Sequence, residues 1–223
     1  MENMIKVGLS GNRYSGKDVC CKIFEQIGVP VFNADVVLKF ILNYNYEINY
    51  KIRSAFGDVF SLKGDLIDLN KFSEKRKFDD LLDIVEYELL NAYDEFNKRN
   101  SQKVYTIFHS SILYEREWNK VMDYNITVFS SKEERMKRCE KATKLEGYKI
   151  KQLMSSELDE LIKNSKGDFI LNNYLGAMAS HGDILDQISR VDQKLVDKYL
   201  LKEQTTPTNG RILYGEDLNP NLI

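Results

Sequence analysis

A chain of 223 residues with 43% apolar content can bury one sizeable core, and the expectation is one compact α/β domain with inserts. Its 32 basic and 34 acidic residues nearly cancel, which excludes a whole-molecule field aimed at nucleic acid or an anionic membrane and makes any phosphate binding local. Cys20, Cys21 and Cys139 form no CxxC pair or zinc spacing, the opening MENMIKVGLS lacks the apolar stretch of a signal peptide, and no apolar run approaches the roughly 20 residues of a membrane span, so a reducing, cytoplasmic setting is expected.

In chain order, Ile5 to Leu9 is the first strand-like run. Val19, Ile23, Phe24 and Ile27 follow at helical spacing, with Gly28 as a natural stop. Val29 to Phe32 reads as a second strand. The stretch from Leu69 to Asn100 then carries Leu81, Leu82, Val85, Leu89, Tyr93 and Phe96 at three-to-four spacing. It separates the second and third strands by far more than one crossover helix needs, which predicts an inserted helical lobe. Val104 to Phe108 and Ile126 to Phe129 are further strands, Ser131 with Glu134 reads as a capping box opening a helix, and Phe169 to Leu171 is a fifth strand. Several of these strands are apolar throughout, as a parallel sheet covered on both faces requires, so the fold class is α/β with a three-layer parallel sheet. The organisation expected is a domain over 1–202, with core about 1–35 and 101–202, helical acceptor lobe about 36–100 and lid about 139–151. A tail at 203–223, which holds two of the three prolines, is expected to be mobile or docked by partner contacts.

The strongest motif is Gly11, Asn12, Arg13, Tyr14, Ser15, Gly16, Lys17, Asp18, placed between an apolar strand and an amphipathic helix. It matches the GxxxxGK part of the Walker A pattern. Glycines let backbone N–H groups converge on phosphate oxygens, the helix N-terminus adds a favourable dipole, and Lys17, expected at the mouth of the site, supplies charge for the β and γ phosphates of ATP. The next position ordinarily carries a Ser or Thr hydroxyl that ligates Mg²⁺, and here it is Asp18; a carboxylate there suits metal binding or a helix cap, and the sequence leaves both open. Asp35, at the C-terminal end of the second strand, suits a ligand-facing base or the N-cap of a helix from Val36. His109 follows the third strand where many phosphate-loop enzymes place an aspartate, and it suits contact with a metal-bound water or an acceptor, or plain packing. Arg135, Lys137, Arg138, Lys141 and Lys144 suit a lid over phosphates or a solvated helix face.

From Ile5 to about Asn173, some three quarters of its length, the chain resembles the dephospho-CoA kinase family. The resemblance rests on GLSGNRYSGKD, IGVPVFNAD ending at Asp35, FG followed by GDLIDLNKF up to Phe72, SILYE from Ser111, SKEERMKR from Ser131 to Arg138, and FILNN ending at Asn173. It implies a P-loop kinase fold with acceptor lobe and lid, ATP and Mg²⁺ as cofactors, and phosphorylation of the ribose 3′-hydroxyl of dephospho-CoA, a small nucleotide-like acceptor. It also implies Asp35 as the base, with Lys17 and Arg138 as its catalytic companions. The chain departs from the family at Asn33, where an aspartate is usual, at Ser111, where the family has proline, near Tyr87 and Glu88 in place of a His-Pro pair, and near Lys141 and Ala142 in place of a second lid arginine. Two other readings share the loop. One is a nucleoside or deoxynucleoside monophosphate kinase, with arginines such as Arg53 or Arg76 on an acceptor phosphate, and the other is a degenerate nucleotide-binding protein that works through partners.

Overall fold

The computed structural model describes residues 4–59, 67–72, 74–143, 145, 147–155, 157–173 and 181–205. Five parallel strands, β1 (Ile5–Ser10), β2 (Val31–Asn33), β3 (Tyr105–His109), β4 (Tyr124–Phe129) and β5 (Phe169–Asn172), form one sheet in the order β2-β3-β1-β4-β5. All five expected strands are present. The second starts two residues late because the Val29 N–H closes the preceding helix on the Phe24 carbonyl and Pro30 has no N–H to give to a ladder.

Helices α1 (Lys17–Gln26) and α8 (His181–Thr205) cover one face of the sheet. There Ile5, Val7, Leu9, Ile107, Ile126 and Val128 pack against Cys20, Cys21, Ile23 and Phe24 of α1 and Ile184, Ile188, Val191 and Leu195 of α8. Of the face expected on α1, Ile23 and Phe24 are buried, whereas Val19 is 49% exposed and Ile27 is also open, and the two adjacent cysteines turn inward instead. Burial pushes the Cys20 thiol up to about 12 and the Cys21 thiol up further.

The insertion between β2 and β3 folds as α2 (Ala34–Tyr44), α3 (Tyr46–Phe56), a short 3₁₀ turn (Leu69–Phe72) and the long α4 (Lys75–Arg99). Asn33 and Asn45 cap α2 and α3 by accepting from the Val36 and Ile48 N–H groups. The apolar stripe predicted on α4, from Leu81 to Tyr93, packs on Phe32 and Phe108 and on Trp118, filling the opposite face of the sheet. Helices α5 (Lys132–Thr143), α6 (Gly147–Met154) and α7 (Glu160–Lys166) lie between β4 and β5. Ser131 Oγ accepts from the Glu134 N–H at the start of α5, as its spacing predicted. Among the described residues no helix is long and apolar enough to cross a membrane. Lys144 and most of the expected tail, residues 206–223, lie outside the described residues.

Leu89 is fully buried at the centre of the α4 stripe, so Leu89→Ala is expected to lose about 2–5 kcal/mol of stability by leaving a cavity. Val19→Ala, on the open side of α1, is expected to change stability by less than about 0.5 kcal/mol, and urea unfolding midpoints of the two variants check the contrast.

Candidate active site

Three strands end level at one edge. Leu9 and Asn33 both pair with His109, so the exits of β1, β2 and β3 converge where the chain order of the sheet reverses, the place where open parallel sheets bind ligands. From β1 the chain enters Gly11–Gly16 and turns into α1. Tyr14 and Gly16 take positive φ, 61° and 93°, and Ser15 N–H closes on the Asn12 carbonyl at 3.1 Å. A Cβ at Gly11 would stand 2.6 Å from both Ser15 Oγ and the Val128 carbonyl, so only glycine allows the loop to lie this close to β4. Lys17 opens α1 and is 7% exposed, so it sits inside the site and not at its mouth as expected. Its ammonium has no hydrogen bond or ion pair among the described residues.

The loop is held from behind by residues far away in sequence. Arg138 donates to the Tyr14 and Ser15 carbonyls at 2.9 and 3.0 Å and to the Asn173 carbonyl at 2.7 Å, and Asn173 Nδ2 donates to Ser15 as well. Burial holds the Arg138 guanidinium below its usual value, opposed by Glu134. Arg135 is buried and bonded to Glu157, Glu160 and the Arg13 carbonyl. It is a clamp beneath the loop, neither a lid charge nor part of a solvated face. Glu157 completes that clamp by accepting the Arg13 N–H at 2.7 Å, and Asn12 Nδ2 donates to the Leu158 carbonyl. Tyr14 packs beside Cys139, Ile150 and Met154, the contact between α5 and α6. Lys137 and Lys141 are exposed.

Asp35 is not a helix cap, because Asn33 fills that position; it stands in the first turn of α2. Its carboxylate accepts from Ser110 Oγ at 3.1 Å and from the Ser111 N–H at 3.3 and 3.2 Å. A proline at position 111 has no N–H to give, so the departure from the family pattern supplies a donor to Asp35. Ser111 is itself fixed by Lys163, a residue that sequence reasoning missed. Lys163 is 2% exposed, donates to the Ser111 carbonyl at 3.2 Å and pairs with Glu115 at 2.7 Å, and burial pushes its ammonium down against the pull of Glu115. Its signal in sequence is only a lysine in a short charged helix.

Asp18 does not cap α1, since the N-cap is Gly16 with no side-chain cap bond; it lies in the first turn, 73% exposed, with Oδ1 3.6 Å from His109 Nε2. His109 is 2% exposed, and neither ring nitrogen has a partner among the described residues. Burial lowers its pKa, opposed by Asp35 and then Asp18, so the ring is neutral at pH 7. An unmade hydrogen bond at a buried polar group costs about 1–3 kcal/mol, which marks the ring as a contact point for something that enters the site. Arg53 and Arg76, the arginines considered for an acceptor phosphate, are exposed in the last turn of α3 and the first turn of α4.

A parallel five-stranded sheet with a phosphate loop after its central strand is the architecture of P-loop kinases, and solved structures agree on the fold. The Thermus thermophilus protein TT1252 superposes with a TM-score of 0.74 at 19% identity, covering 86% of this chain and 98% of its own. A dephospho-CoA kinase from Campylobacter jejuni gives 0.60 at 21% over the same shares. The family described as dephospho-CoA kinase matches residues 5–178, and the chain belongs to that family of phosphotransferases. Relatives named dephospho-CoA kinase include those of Fusobacterium nucleatum, 27% identical over 172 residues (75% of this chain, 88% of that protein), and Mannheimia succiniciproducens, 27% identical over 214 residues (91% and 95%).

At Gly16 a Cβ would stand 2.0 Å from Asn173 Nδ2 and would also have to sit at φ 93°. Gly16→Ala is expected to weaken ATP binding at least tenfold, measured by calorimetric titration, because the added Cβ meets Asn173 and sits at a φ that L side chains rarely adopt.

Proposed function

We propose that this chain transfers the γ-phosphate of ATP, with Mg²⁺, to the ribose 3′-hydroxyl of dephospho-CoA. The observation that carries the reading is Lys17: a lysine only 7% exposed, with no ion pair among the described residues, inside a loop built to hold phosphate. The residues fit Mg²⁺ and ATP. Ser10 Oγ, at the end of β1, and Ser15 Oγ, in the loop, are buried without partners among the described residues, the N-terminal end of α1 faces the loop, and Asp18 is an open oxygen donor in its first turn. Gly11, Asn12, Arg13, Tyr14, Ser15, Gly16 and Lys17 then form the cradle, and Asp18 holds the metal, which when bound offsets charge on the phosphates.

In this reading Lys17 stabilises charge on the β and γ phosphates, and Arg138 adds positive charge from the flank of the loop, where its bonds to the Tyr14 and Ser15 carbonyls hold it. Asp35 accepts the proton of the acceptor hydroxyl. Its two oxygens are aimed by Ser110 and Ser111, with Lys163 holding Ser111 in turn, so the carboxylate is oriented before the acceptor arrives. A ribose hydroxyl needs such a base, whereas the ionised phosphate of a nucleoside monophosphate does not.

Lys17→Ala should abolish phosphotransfer. It should leave the melting temperature without ligand near that of the parent, since no hydrogen bond or ion pair among the described residues is lost, and should cancel the rise in melting temperature that ATP produces. An unchanged rise with ATP would overturn the assignment of the loop.

Dephospho-CoA should stimulate ATP consumption more than any nucleoside or deoxynucleoside monophosphate. Asp35→Asn should lower kcat by roughly 10²- to 10⁴-fold while ATP affinity stays near that of the parent. Strong stimulation by a monophosphate with dephospho-CoA inert would replace the acceptor assignment, and ATP binding with no acceptor active would replace the enzymatic one.

A further inference from the structure

Two positions at the level strand ends have traded chemistry. The residue after the loop lysine, ordinarily a hydroxyl, is the carboxylate Asp18, and the end of β3, where many phosphate-loop enzymes carry an aspartate, is the imidazole His109. One negative charge is kept across the pair, but the donor set changes from two oxygens to an oxygen and an aromatic nitrogen. The two groups face each other, with Nε2 of His109 3.6 Å from Oδ1 of Asp18, close enough for both to bind one ion. They differ in burial as a ligand pair at the floor and rim of a site would: His109 is enclosed with both ring nitrogens unpartnered among the described residues, and Asp18 is open.

Resting on the nucleotide-binding reading above, we infer that Asp18 and His109 together bind the divalent cation that accompanies the nucleotide, and that this mixed pair favours Mn²⁺, Co²⁺ or Fe²⁺ over Mg²⁺. Mg²⁺ seeks oxygen donors in near-ideal octahedral geometry and dehydrates reluctantly, whereas an imidazole nitrogen raises affinity along the first-row series. Among the described residues no three His, Cys, Asp or Glu side chains converge on one point. The protein therefore supplies two ligands and phosphate oxygens supply others, so the ion is held weakly by the chain alone and tightly with nucleotide. A water bonded to His109, with Asp18 alone on the metal, is the competing arrangement.

The two arrangements separate by electron spin-echo spectroscopy of Mn²⁺ with ADP bound to the full chain. Protein labelled with ¹⁵N-histidine should show a ¹⁵N coupling to Mn²⁺ that ¹⁴N protein replaces with ¹⁴N. The coupling should vanish in His109→Leu, which keeps the other histidine, His181, as an internal control. Competition titrations should show the ratio of Mn²⁺ to Mg²⁺ affinity in the ADP complex falling by about tenfold or more in His109→Asp, which restores the all-oxygen set. A Mn²⁺–ADP complex of the parent with no histidine coupling would overturn the inference, and that experiment needs no variant to fold. An affinity ratio unchanged in His109→Asp would overturn it as well. In either case, phosphorylation of dephospho-CoA supported by Mg²⁺ leaves the kinase assignment standing, whereas failure of ADP to bind removes both.

Discussion

The phosphate loop at the edge of this sheet is arranged around an ammonium that makes no ion pair among the described residues. Lys17 begins α1 where β1, β2 and β3 end together. The helix it opens is packed on the sheet through both cysteines, Ile23 and Phe24, which fixes where the lysine stands. The folded state thus holds a positive group in place before an anion arrives.

Such a site needs a rigid frame, and the frame is polar. Arg138 and Asn173 hold the Tyr14 and Ser15 carbonyls on one flank, while Arg135, Glu157 and Glu160 hold Arg13 from below. The bonds that reach the loop itself join residues more than a hundred positions apart, tying it to the chain between β4 and β5 and just beyond. Removing Arg135 would leave both Glu157 and Glu160 without their partner, and breaking a buried pairing of this kind costs about 3–5 kcal/mol. The acceptor side is built in the same way: Lys163 fixes Ser111, and Ser111 fixes Asp35.

The parallel sheet was readable because continuous apolar runs such as Ile126 to Phe129 have one simple explanation, burial on both faces. The loop was readable because its chemistry is local, eight consecutive residues between a strand and a helix. Roles that depend on a partner distant in sequence were not readable. Arg135 and Arg138 look alike on a charged helix, and only the fold puts one beneath the loop and the other on its flank. Asn33 seemed a loss relative to an aspartate, yet either side chain can accept the Val36 N–H that caps α2. Val19 and Ile27 fit the helical period as well as Cys20 and Cys21 do, and the choice between them was made by what the sheet and α8 offer on that face.

Those two cysteines have a practical meaning. Their thiols are enclosed behind the phosphate loop and kept protonated by burial, so an alkylating reagent reaches them only when α1 lifts away from the sheet and α8. The rate of their modification is therefore a clock for that opening. Because the same helix begins with Lys17, a phosphate ligand seated there ties down the hinge end of the door, and slower alkylation counts occupied molecules without any assay of turnover.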